Sequence, residues 1–116
     1  MSQSTVIDAA TFAELQEAAG PEFVAELVGT FLEEAPGMLA DLRSARAAND
    51  GERFRRAAHS LKSNSHTFGA QALGALAREI ELRGMADDPA VDAAALDALE
   101  AAYARAAVAL RELSHG

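Results

Sequence analysis

The stretch GERFRRAAHSLKSNSHTFG, from Gly51 to Gly69, decides how this chain folds. Turned at about 100° per residue, Phe54, Ala58, Leu61, Ser65 and Phe68 fall within roughly 40° of one direction. A stripe that narrow is the core face of an amphipathic helix, and its spacing predicts a helix from about Glu52 to Phe68. Asn49-Asp50-Gly51 reads as a turn that supplies the cap, and Gly69 separates this helix from the next. His59 lies roughly 140° from Phe54, so it points away from the core. Arg55 stands four residues before it, and Lys62, Ser63 and His66 stand three, four and seven after it. Those steps put all of them on one surface stripe around His59.

Outward from this helix, punctuation residues divide the rest of the chain into further helices. Thr11-Phe12-Ala13-Glu14 has capping-box spacing, so a short first helix is expected from Thr11 to near Ala19, with Gly20 as its stop. Pro21 suits the first turn of a second helix reaching about Ala48. Phe23, Leu27, Phe31, Met38, Leu39 and Leu42 form its apolar stripe, widened by Val24, Val28 and Leu32. Pro36 lacks a backbone donor and is expected to kink or break it. A fourth helix is expected over about Ala70–Arg83, with Leu73, Leu76, Ala77 and Ile80 inward. A loop follows over Gly84–Pro89. The last helix, about Pro89–Leu113, sets Leu96, Leu99, Tyr103, Ala106, Leu110 and Leu113 at alternating three- and four-residue steps, a bundle seam. Alanine supplies 29 of the 116 residues and period-two runs of Val, Ile and Thr are absent. The expectation is one all-α domain over residues 1–116, an up-and-down antiparallel four-helix bundle with a short extra N-terminal helix.

Composition excludes several functions. With no cysteine there is no disulfide, thiol catalysis or thiolate metal site. No apolar run reaches the roughly 18 residues of a membrane span, and the opening MSQSTVIDAA has neither a basic stretch nor an apolar signal core. A soluble, cytoplasmic protein is expected. A net charge of −8 argues against nucleic acid, whose phosphates it would repel. Yet Gly51–Gly69 holds Arg53, Arg55, Arg56 and Lys62 against Glu52 alone, a balance of +3 that leaves −11 to the other segments. A basic helix on an acidic chain suits docking to an acidic partner site. The start at Met1 and the end just past a helix suggest a free-standing protein, and stripes used up within one bundle suggest a monomer.

The stripe has chemical content. An exposed imidazole is a competent nucleophile near neutral pH, cations beside it would attract a phosphoryl group, and the small Ser60 and Ser63 would let another protein approach closely.

The stretch Ala58-His59-Ser60-Leu61-Lys62-Ser63-Asn64-Ser65-His66-Thr67-Phe68-Gly69-Ala70 resembles the signature of histidine-phosphotransfer (HPt) domains, roughly A-H-x-L-K-[GS]-x-[SA]-x-x-x-G-A. Every defined position is matched, with Ser63 where glycine is commoner. The resemblance implies that His59 is the phosphoacceptor, that Lys62 stabilises the phosphoryl group and that Ser63 gives a partner room. It implies that Glu81, 22 residues on, bonds the imidazole and leaves the other ring nitrogen free to attack. Arg55, Arg56, Ser60, Ser63 and His66 are then expected at the partner interface. The implied partners are response-regulator receiver domains, with an acidic pocket holding an aspartate and Mg²⁺, and the sensor or hybrid histidine kinase upstream. The receiver supplies the metal, so no cofactor is expected here, and no P-loop or glycine-rich nucleotide motif is present.

Three alternatives differ in class. The phosphoacceptor segment of a sensor kinase would have an acidic residue after the histidine and a proline soon after; Ser60 follows here, and no proline lies between His59 and Pro89. A metal-binding bundle would need more than His59 and His66 on one solvent face and lacks a Glu-x-x-His motif. A non-catalytic docking module for a response regulator is opposed by the intact His59 and Lys62.

Overall fold

Each helix begins and ends where local chemistry dictates. The computed structural model describes residues 6–115, which form α1 (Ala9–Ala19), α2 (Pro21–Ala47), α3 (Gly51–Phe68), α4 (Gln71–Arg83) and α5 (Pro89–His115), with no strand among the described residues. α1 starts a turn earlier than the Thr11 capping box suggests. Asp8 takes the cap and accepts the Thr11 N–H at 3.2 Å, and the Thr11 hydroxyl also donates to its carboxylate. An ionised carboxylate is a strong acceptor for the free N–H groups of a first turn, so Thr11 becomes the partner of the cap.

α2 runs unbroken through Pro36, so of the kink or break expected there the break does not occur. Proline at this position leaves the Leu32 carbonyl, four residues back, without its helical donor. The Tyr103 hydroxyl of α5 donates to that carbonyl at 3.3 Å. The Pro36 ring itself is exposed, so it displaces no packed side chain. The buried residues of α2 are Val24, Val28, Phe31, Ala35, Leu39, Leu42 and Ala45. Phe23, expected in the stripe, is 52% exposed, because Val24 takes the inward place and its neighbour is turned about 100° away.

α3 buries Phe54, Ala58, Leu61, Ser65 and Phe68, the core face expected from its spacing. Asp50 caps it by accepting the Arg53 N–H at 3.1 Å. At the other end Gly69 turns left-handed (φ 81°), and Ala70 donates to the Ser65 carbonyl at 2.8 Å. That turn needs glycine: a β-carbon there would come within 3.0 Å of the Asp8 carbonyl oxygen. The Asp8 N–H in turn donates to the Gly69 carbonyl at 2.8 Å, fastening the start of α1 to the end of α3.

α2 packs on α3, α3 on α4, α4 on α5 and α5 on α2, closing a ring of four helices, while α1 lies against α2 and α3. Across α3 and α4, Arg55 meets Gly84, His59 meets Glu81 and His66 meets Gly74, so the two helices run in opposite directions. Leu32–Tyr103, Arg43–Glu100 and Arg46–Asp92 show the same reversal for α2 and α5. Leu96, Leu99, Ala106 and Leu110 of the α5 seam are buried; Leu113 is 37% exposed, one turn beyond Leu110.

Asp92, in the first turn of α5, is fully buried. It is 2.7 Å from Arg46 of α2 and 3.0 Å from Arg83 of α4, and it accepts the Ala86 N–H at 2.9 Å. This network holds the loop between α4 and α5 in place. No helix among the described residues is long and apolar enough to cross a membrane.

Candidate functional site

The outer face of α3 is divided by its two neighbours. On a helical wheel Arg55, Lys62, His66 and His59 lie on the flank towards α4, whereas Arg53, Ala57 and Ser60 lie on the flank towards α2. The structure follows this division. His59 is 57% exposed, and its Nδ1 is 2.8 Å from Oε2 of Glu81 on α4. Lys62 Nζ is 2.8 Å from the other oxygen, Oε1, of the same carboxylate. One side chain of α4 therefore joins the two residues of α3 that are three apart.

This arrangement fixes proton positions. The Glu81 carboxyl is held below its ordinary value of 4.5, chiefly by the hydrogen bond from Lys62 and then by that from His59, with partial desolvation opposing both. It is therefore ionised at neutral pH and can only accept hydrogen bonds. The proton in the His59–Glu81 bond must then be on Nδ1. In a neutral imidazole that leaves the Nε2 lone pair available, and Nε2 has no hydrogen-bond partner among the described residues.

The other expected site residues are less close together. Arg55 is exposed and lies across the C-terminal end of α4, where a β-carbon on Gly84 would meet its Nη2 at 2.5 Å. The negative end of the α4 dipole favours a guanidinium there. The exposed His66 ring rests on Gly74, where a β-carbon would come within 2.9 Å of Cε1. Ser63 is exposed on the same stretch. Arg56 and Ser60 face the other way. With Met38, Asp41, Arg53 and Ala57 they line a recess of about 270 Å³ between α2 and α3. His59 is thus flanked by a groove towards α4 and this recess towards α2.

The basic character of α3 is largely neutralised within the fold. Arg53 pairs with Asp41 at 3.1 Å, Arg56 with Glu52 at 3.1 Å and Lys62 with Glu81. Among the described residues Arg55 is the one α3 cation without an acidic partner. Sequence reasoning overlooked Arg78, an exposed residue three positions before Glu81 and so on the same side of α4. The signal that could have found it is that three-residue step from Glu81.

A family model described as the Hpt domain matches residues 26–109, a span that includes His59, Lys62 and Glu81. No curated protein and no solved structure matches the chain.

Proposed function

The chain belongs to the Hpt domain family, and on that premise we propose that His59 accepts a phosphoryl group from the aspartate of one receiver domain and passes it to another. Hpt domains are phosphocarriers of phosphorelays, with transfer on a histidine, and work with receiver domains and histidine kinases. The reading of His59 as the acceptor rests on one observation above the rest. Its Nδ1 is bonded to an ionised carboxylate at 2.8 Å while the ring remains more than half exposed.

The step balances without a cofactor in this chain. The Nε2 lone pair attacks the phosphorus of the aspartyl phosphate. The N–P bond forms as the P–O bond to the aspartate breaks, and the bonding pair leaves with the aspartate carboxylate. Nδ1 keeps its proton, so the phosphorylated ring carries a positive charge that Glu81 faces directly. Lys62, held next to the ring by Glu81, offsets charge on the phosphoryl oxygens during transfer. The reverse sequence returns the group to a second receiver. In this reading the ring α2–α5 is an up-and-down antiparallel bundle with α1 as the extra helix, and the protein works in the cytoplasm with its receivers.

The test is incubation with a receiver domain labelled on its aspartate. The native chain is expected to take up label that is acid-labile and alkali-stable, and His59→Gln to take up none. Uptake by His59→Gln equal to that of the native chain would remove His59 from the reaction. A native chain that binds its receivers yet takes label from none would instead be a docking module.

A further inference from the structure

The basic helix was expected to offer a local docking face for an acidic partner site, but three of its four cations already have an acidic partner within the chain. The charges left for a partner are therefore fewer and differently placed. Among the described residues, the arginines with no acidic partner are Arg55, Arg78, Arg105 and Arg111. Two of these border the α3–α4 groove. Arg55 is one turn before His59 and lies over Gly84. The pairing of His59 with Glu81 and of His66 with Gly74 sets a register in which position 78 falls opposite Lys62. Arg78 is turned about 60° from Glu81, away from the buried face of Leu73, Ala77 and Ile80. It therefore stands on the outer rim of the groove, on the far side of His59 from Arg55. Leu82, one turn after Arg78, is 67% exposed and adds an apolar contact on the same helix.

We propose that Arg78 on α4 and Arg55 on α3 form a two-ended cationic clamp that seats the acidic rim of a receiver domain across the His59–Glu81 pair. The inference rests on the phosphocarrier reading and adds to it the residues that orient the partner. On a chain of net charge −8 an acidic partner is repelled at a distance, so docking depends on those few cations that no internal acid has neutralised. Arg78 is a positioning residue: it acts on encounter and leaves the reacting nitrogen untouched.

The experiment measures transfer from a phosphorylated receiver over a range of receiver concentration and of salt. Arg78→Glu is expected to lower kcat/KM about tenfold and leave kcat at saturation within twofold, with a shallower dependence on ionic strength. Arg55→Glu should act in the same direction, and Arg78→Lys should stay close to native. Arg105→Glu, on the exposed face of α5, is the control and should keep native kinetics. Chemical phosphorylation of His59 by phosphoramidate should be unchanged in Arg78→Glu, which separates docking from reactivity. If Arg78→Glu matches the native chain in kcat/KM and salt dependence while the native chain transfers normally, the clamp is wrong and the phosphocarrier reading stands. If the native chain accepts phosphate from no receiver, both fall together.

Discussion

Glu81 is one residue with two obligations. Its carboxylate holds the His59 proton on Nδ1 and anchors the Lys62 ammonium, each at 2.8 Å. Lys62 is the larger cause of its lowered pKa, so removing Lys62 should let that pKa rise. The sign follows from linkage: the folded value lies below 4.5, so the stabilisation is complete above 4.5 and is lost as pH falls through the lowered folded value. In carbon NMR titrations the Glu81 carboxyl of the native chain should have its midpoint below 4.5, and in Lys62→Met the midpoint should move upward. An unmoved midpoint would mean that the Lys62–Glu81 pair is not formed in solution. Much of this site was legible from sequence, because the α3 wheel placed His59 opposite Phe54 and the family resemblance singled out Lys62 and Glu81. The sharing of one carboxylate was not legible. It depends on the register between two helices, and that register is set by side-chain packing such as His66 against Gly74.

Among the elements, α3 and α2 show where reading by periodicity succeeds and where it stops. The buried set of α3 follows from spacing alone because one face is apolar and the other carries Arg, Lys, Ser and His. The expected break at Pro36 does not occur because the compensation comes from 67 residues further along the chain, where Tyr103 donates to the Leu32 carbonyl. Burial pushes the Tyr103 hydroxyl above its ordinary value of 10.0, so it remains a donor throughout the neutral range. This repair is partial, since a hydroxyl at 3.3 Å replaces an aligned helical N–H and the proline ring still opposes ideal helix geometry. Pro36→Ala should therefore stabilise the protein by about 1–3 kcal/mol. Urea unfolding measures this as a later midpoint with an unchanged slope. A midpoint at or below the native one would show that the proline shapes α2 in a way the rest of the bundle requires.

At the scale of the whole molecule, the acidic excess has a structural use that composition could not reveal. Asp97 and Glu100 of α5 hold Arg43 of α2 at the surface, and the buried Asp92 holds the largely covered Arg46 of α2 and, from beneath, the more exposed Arg83 of α4. The same helices are thus joined by two kinds of ion pair with different expected weights. The surface set is solvated and screened, so Asp97→Ala should cost no more than about 1 kcal/mol. Asp92 is fully buried, and Arg46 beside it is only 19% exposed. Asp92→Ala would leave that guanidinium without its counter-charge and the Ala86 N–H without an acceptor. Loss of one member of such a network should cost about 3 kcal/mol, lowering Tm on the order of 10 °C for a chain of this size. Asp92→Asn keeps an acceptor for Ala86 and should fall between the two. Thermal unfolding of the three variants side by side tests the ranking. Equal midpoints for Asp92→Ala and Asp97→Ala would mean that burial of Asp92 adds nothing, and that the α4–α5 loop is held by its backbone and Gly84 alone.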